Sequence, residues 1–316
     1  MAGLWRALRA QLMTPDMVET TMSRRGFHVK DEATRRRLES VGTSFLTGFR
    51  AAVEARADTD IGRLELIERQ FRGFAYEGAA MGYAILDGVA PGGGRTARFL
   101  AGAGAPHVYM AYVGIGWAYA KLPRWRWRAV PAPDRLLRWL VLDGLGFHRA
   151  YFQTDRFVRR QEDGPVAWPP DVPGDYARRA VDQGIGRASW FVAGADPDVA
   201  AELIGRFDES RHGDLWSGMG LAATYAGGAD QDDLKKLYVH AGRYRPQLAQ
   251  GSAFAAQARL YAGLVTEHTP VATGIFCGCT PQEAAAVTER ERATLPPDAA
   301  EPAYEVWRQR IQAHFA

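Results

Sequence analysis

Residues Gln183–Leu203 read QGIGRASWFVAGADPDVAAEL, and residues Ser217–Leu237 read SGMGLAATYAGGADQDDLKKL. In one constant register Gly184, Gly186, Ala188, Gly194, Ala195, Asp196, Asp198 and Leu203 recur as Gly218, Gly220, Ala222, Gly228, Ala229, Asp230, Asp232 and Leu237. Such a match marks an internal repeat, and a repeat decides the architecture before any single motif does.

Working outward, a glycine followed two residues later by a small residue heads seven segments, at Gly42, Gly78, Gly114, Gly144, Gly184, Gly218 and Gly251. The small partners are Ser44, Ala80, Gly116, Gly146, Gly186, Gly220 and Ala253. Glycine inside a helix costs about 0.8–1.0 kcal/mol relative to alanine, so its repetition calls for compensation, and close helix approach supplies it. Within the strongest pair, Asp196 and Asp230 read as N-caps of a second helix, Pro197 suits the first helical position, and the preceding AGAD and GGAD suit a helix stop. No segment alternates as sandwich or barrel strands do. The expected fold is therefore all-α: about seven helical-hairpin units of 30–40 residues in a superhelical or toroidal array. The expected organisation is an N-terminal helical extension over 1–30, the repeat domain over 31–270 and a C-terminal helical cap over 271–316.

Composition agrees with a folded, buried-core protein. The chain has 316 residues, 47% hydrophobic and 24% charged, with a net charge of +3 and 34 glycines. Nine Trp, twelve Tyr and fourteen Phe supply more buryable surface than a disordered chain carries. The small net charge and the lack of a basic block argue against nucleic acid as a partner. No apolar run is long enough for a transmembrane helix. Residues 4–13 can form an amphipathic helix with Leu4, Trp5, Leu8 and Leu12 on one face, suited to peripheral membrane contact, to a partner groove or to the chain's own body. The N-terminus lacks a signal-peptide h-region, and the two cysteines, Cys277 and Cys279, form no disulfide framework, so a cytoplasmic location is expected.

The position before each leading glycine holds Val41, Glu77, Val113, Asp143, Gln183, Ser217 and Gln250, mostly polar in an otherwise apolar motif. Equivalent positions of an array line one surface. On one reading Glu77, Asp143, Asp182 and Gln183 face an interior bounded by the substrate-binding candidates Trp117, Phe147, Tyr151, Trp190 and Trp216. On the other they form a buried polar ladder between adjacent units. Asp143 and His148 lie on a nearly wholly apolar helix expected to start at Asp134, and are the first candidates for an acid/base pair, with Glu77 and Asp182 as secondary carboxylates.

Other chemistry is thinner. The Gly-x-Gly pairs lack a preceding strand and acidic partner, and no Gly-Lys-Ser/Thr follows Pro91-Gly92-Gly93-Gly94, so neither nucleotide motif is met. Cys277-Gly278-Cys279 is too close for paired zinc ligands, and no metal site or cofactor motif is recognised. The alternation Arg124-Trp125-Arg126-Trp127-Arg128 reads either as an exposed connection or as a dock for an acidic carrier protein.

Taken together and in order, YVGIGWAYAKLP, LVLDGLGFHRAYF, QGIGRASWFV, DLWSGMGLAATYAGG and QLAQGSAFAAQAR resemble the bacterial family called domain of unknown function 1702. The resemblance runs from about Gly42 to Gly263. It implies a place in enediyne polyketide gene clusters and a role in turning a linear polyene into the enediyne core. An apolar polyketide-derived small molecule would then be the ligand, with a polyketide synthase carrier domain or a tailoring protein as partner. Alkyne formation needs an electron acceptor, which points to a redox partner. The competing expectation is a non-catalytic scaffold that sequesters the intermediate or bridges synthase and tailoring enzymes.

Overall fold

A computed structural model describes residues 9–55, 62–90, 92–130, 132–162 and 174–316, and every regular element among them is helical. In chain order the longer α-helices are α1 (Glu32–Glu54), α2 (Arg69–Val89), α3 (Arg95–Ala101), α4 (Val108–Lys121), α5 (Trp139–Phe152), α6 (Gly174–Val192) and α7 (Pro197–Gly205). They continue with α8 (Glu209–Tyr225), α9 (Gln231–Ala241), α10 (Arg245–Tyr261), α11 (His268–Phe276), α12 (Pro281–Ala293) and α13 (Ala303–His314). No helix among the described residues is long and apolar enough to cross a membrane.

Local sequence sets the helix ends. Asp196 accepts the backbone N–H groups of Asp198 and Val199 with Pro197 at the first position of α7, and Asp230 accepts those of Asp232 and Asp233 at the start of α9. Gly194 and Gly228 stand at φ +59° and +99°, where a Cβ would be strained.

Two expectations are corrected. Among the described residues of the connection after α4 the regular structure is a 3₁₀ segment, Arg124–Ala129, so a second α-helix does not follow every glycine-bearing one; residues 163–173, in the connection after α5, lie outside the described residues, and before them stands a π turn at Asp155–Arg159. Helix α5 also begins at Trp139. The Asp134 carboxylate instead holds the N–H groups of Leu136 and Leu137 at 2.8 and 3.0 Å in a local turn. Of the N-terminal amphipathic segment, residues 4–8 lie outside the described residues. Beyond them Arg9 donates to Val53 O at 3.1 Å and Ala10 is buried, while Leu12 is exposed.

The paired glycines explain the packing. Gly114 in α4 faces the carbonyl of Glu77 in α2, Gly144 that of Val113, Gly184 that of Asp143, Gly218 that of Gln183, and Gly251 that of Ser217. Each of these five leading glycines thus sits on the carbonyl just before the leading glycine of the previous long helix, whereas Gly78 faces Phe45 O and Gly42 the side chain of Thr20. The second glycine faces forward: Gly116 meets Val141 O, Gly146 meets Val181 O, Gly186 meets Leu215 O and Gly220 meets Leu248 O. A methyl group at any of these positions would fall well inside van der Waals contact with a neighbouring backbone. The two glycines of one helix therefore serve its two neighbours.

A second set of contacts joins the early helices to the late ones. Helix C-termini leave carbonyls without partners and favour cations. At the end of α8, His268 Nε2 lies 2.8 Å from Ala223 O, Arg259 Nη2 donates to Tyr225 O at 2.5 Å, and Arg37 Nε donates to Ala226 O at 2.7 Å. Trp190 Nε1 donates to Gly227 O at 2.9 Å and Thr34 Oγ1 to Gly228 O at 3.0 Å. These donors come from α11, α10, α1 and α6. Arg259 Nη1 also reaches Gln70 O in α2 at 2.9 Å.

The glycine contacts predict a sharp positional contrast. Gly184→Ala and Gly218→Ala should each lose about 3 kcal/mol or more, since the obstructing atoms are backbone. Gly274→Ala, inside α11 with open space around it, should gain up to about 1 kcal/mol. Urea denaturation of the three variants measures this, and similar losses at all three would contradict the packing account.

Candidate functional site

The interior face follows from the same register. Three residues after each leading glycine stand Phe45, Met81, Trp117, Phe147, Arg187, Leu221 and Phe254. Arg187 is the single charged side chain in this apolar series, and it is buried. It borders two small cavities.

The first cavity, about 50 Å³, is lined by Phe45, Phe74, Trp117, Phe147, Tyr151 and Phe191, with Glu77 and Arg187 as its ionisable groups. The second, about 40 Å³, lies among Met110, Val113, Leu140, Asp143, Tyr225, Phe254, Tyr304 and Trp307, again beside Arg187. Each has room for a few waters. A longer ligand enters only as side chains between them turn aside. Helix α13 supplies Tyr304 and Trp307. Its Arg308 is anchored by Asp214 at 2.7 Å and Glu305 at 2.9 Å, an ion cluster buried against α8.

Between the cavities Asp143 Oδ1 accepts from Arg187 Nη1, and Asp143 Oδ2 accepts from Gln183 Nε2 at 2.7 Å. Burial works against the Arg187 charge, yet the Asp143 carboxylate bonded to it holds its guanidinium above the ordinary arginine value. Burial pushes the Glu77 carboxyl up to about 8; Arg187 opposes this and Asp143 adds to it. Glu77 is thus protonated at neutral pH. The indole N–H of Trp117 approaches it without reaching hydrogen-bond geometry.

The positions before the leading glycines join into a ladder. Gln183 bonds to Asp143, and Ser217 Oγ donates to Gln250 Oε1 at 2.8 Å while lying 3.4 Å from Gln183 Oε1. Arg308 Nε reaches Gln250 Oε1 at 3.3 Å. Asp143 and Gln183 therefore serve the ladder, and Glu77 remains the carboxyl that lines the aromatic cavity.

Other candidates lie apart. Asp182 is held by Arg211 through contacts of 2.5 and 3.0 Å, away from both cavities, with burial raising its carboxyl to about 6 against the pull of Arg211. His148 is not paired with Asp143: five residues on along α5, it packs edge-on to Trp117 and beside Phe152, at centroid distances of 5.6 and 4.7 Å. Neither of its ring nitrogens has a hydrogen-bond partner among the described residues, and burial, aided by Lys121 and Arg149, lowers its pKa to about 3, which favours the neutral ring. Trp190 and Trp216 are buried but line neither cavity, whereas Trp117, Phe147 and Tyr151 line the first. Tyr225, whose hydroxyl rests against Gly73 of α2, was not singled out by its sequence setting. Arg187 had a legible signal as the charged exception in QGIGRASWF.

Among the described residues no group of three or more His, Cys, Asp or Glu side chains is placed to hold a metal ion. Cys277 and Cys279 are free thiols, and Cys277 Sγ donates to Ala249 O at 3.3 Å.

A family model described as "Protein of unknown function (DUF1702)" matches residues 4–315. No curated protein and no solved structure matches the chain.

The protonated state of Glu77 sets a pH dependence. The native chain keeps this proton up to about pH 8, whereas a solvated glutamate releases it near 4.5. Between those values unfolding releases a proton, so this contribution to stability falls as pH rises, by up to about 1.4 kcal/mol per pH unit. Glu77→Gln should flatten the decline between pH 5 and 8. Urea midpoints measured across that range check it, and an unchanged slope in the variant would count against a buried neutral carboxyl.

Proposed function

We propose that this chain, which belongs to the DUF1702 family, serves enediyne-type natural-product biosynthesis by enclosing a linear polyketide polyene, or an intermediate derived from it, during core formation. The enclosure proposed is a superhelical or toroidal array of about seven glycine-bearing units with the polyene inside it. The observation that carries the reading is the buried Glu77 carboxyl on the wall of an aromatic cavity.

Aromatic walls suit a conjugated chain, because flat π surfaces stack and the chain leaves water. Within such a cavity a neutral carboxyl is a proton donor that need not first be desolvated. Glu77 is assigned this part. Asp143, with both oxygens engaged, positions Arg187 rather than acting as a base. Side chains must turn aside to admit a C15 chain, which links binding to a rearrangement of the aromatic wall. Alkyne formation would pass electrons to a redox partner on this reading.

A second reading has its own observation. Trp125 is 68% exposed with the Arg126 guanidinium 4.1 Å above its ring centre, flanked by Arg124 and Arg128. An exposed aromatic within a basic segment suits docking to an acidic carrier domain, and the protein would then be a scaffold between synthase and tailoring enzymes.

The discriminating experiment is production of the polyene-derived product in a host carrying each variant. Glu77→Gln should lower product at least about tenfold while the protein stays folded, as removal of a proton donor does. Mass spectrometry of small molecules extracted from the purified protein should recover a conjugated species. Unchanged product with Glu77→Gln, together with a loss for Trp125→Ala, would replace enclosure by docking.

A further inference from the structure

The groups between the two cavities carry more donors than acceptors. Arg187 Nη1 is engaged by Asp143, but Arg187 Nε has no hydrogen-bond partner among the described residues. The Tyr225 hydroxyl has none either, nor does Trp117 Nε1. All three residues are more than nine-tenths buried, at 5%, 3% and 7% exposure. The protonated carboxyl of Glu77 brings one donor and also one acceptor oxygen, the carboxyl lying beside Trp117. On the acceptor side both oxygens of Asp143 are occupied.

Buried donors without acceptors are destabilising in a native protein and are uncommon unless they serve a ligand or a bound water. Other unpartnered buried donors occur, at Trp139 and Arg308 for example, but those residues line neither cavity. Arg187 borders both cavities, Tyr225 the second and Trp117 the first. At the cavities these donors lie where an apolar chain running between the two would place a polar atom.

We propose that this waist receives an acceptor oxygen of the ligand, a carbonyl conjugated with the chain, held by Arg187 Nε and Tyr225 Oη while the chain lies against Phe45, Trp117, Phe147 and Phe191. The inference rests on the reading that the interior encloses a polyene, and it narrows the substrate from a plain hydrocarbon to an oxygenated one. A neutral carbonyl is favoured over a carboxylate. Arg187 is already neutralised by Asp143, so a carboxylate would bury a second anion beside the first. Hydrogen bonds from two donors also draw electron density toward the oxygen, which makes the conjugated chain easier for a nucleophile to attack along its length.

The test uses two probes of equal length, a linear conjugated tetraenone and the corresponding tetraene hydrocarbon, with quenching of tryptophan fluorescence as the binding signal. The ketone should bind about tenfold more tightly than the hydrocarbon, and its absorption band should move to longer wavelength as the carbonyl accepts hydrogen bonds. Tyr225→Phe removes only a hydroxyl that bonds to no described protein atom, so the fold should survive, which circular dichroism checks. That variant should lose most of the affinity difference and part of the spectral shift, with hydrocarbon affinity unchanged. Equal binding of both probes to the parent would overturn the acceptor site and leave enclosure standing. Binding of neither probe would overturn enclosure as well. Tighter binding of the ketone that Tyr225→Phe leaves untouched would remove Tyr225 from the site and refute the inference as stated.

Discussion

The structure depends on one repeated contact, a glycine Cα pressed onto a backbone carbonyl of the adjoining long helix. Ordinary helices pack 8–10 Å apart because side chains separate them. Here the leading glycines remove the side chain on one side of the interface, at Gly114, Gly144, Gly184, Gly218 and Gly251, and the forward glycines remove it on the other. Backbones that meet this closely fix rotation as well as distance. Once rotation is fixed, the residue before the leading glycine and the residue three after it have determined directions, so ladder and cavity walls follow from the same contact.

This geometry separates two kinds of buried polarity. Gln183, Ser217 and Gln250 bond to one another and to Asp143 along the ladder, which ties adjacent helices together through polar contacts. Glu77 is different. Its helix precedes a unit with Val113 at the equivalent position, so no rung continues from it, and it is left facing aromatic rings. A break in the ladder has placed a protonated acid at the cavity wall.

The sequence was most informative where a backbone requirement forces a residue type. The glycine register, the Asp196 and Asp230 caps and the stops at Gly194 and Gly228 were legible because few other residues satisfy those geometries. Of the residues expected to bound an interior, Trp117, Phe147 and Tyr151 line the first cavity with Glu77, whereas Trp190 and Trp216 do not. The pairing of Asp143 with His148 misled, because two ionisable groups on one apolar helix need not share a face. Five residues turn an α-helix through about 140°, which carried His148 to the far side of Trp117. Arg187 was missed although its position was known, since arginine is common in this chain and only comparison with six apolar counterparts sets it apart. Tyr225 and the helix α13 side chains meet the cavity through contacts distant in sequence, which no local pattern encodes.

The carbonyls at the end of α8 have a consequence for how the chain comes apart. An open stack of helical units can fray from either end, since each unit touches only its neighbours and stability is a sum of local terms. In this chain residues 226–228 are grasped by Arg37 and Thr34 from the first long helix and by Trp190 from the sixth, while Arg259 bridges the same place to Gln70. The early helix is thereby denied a free end. Loosening of α1 removes the donors Arg37 and Thr34 from the carbonyls of Ala226 and Gly228, so damage to an early helix is felt at a segment nearly 200 residues along the chain. Contacts so distant in sequence bind these helices into one cooperative unit, and pairings of such long separation are slow to form in folding.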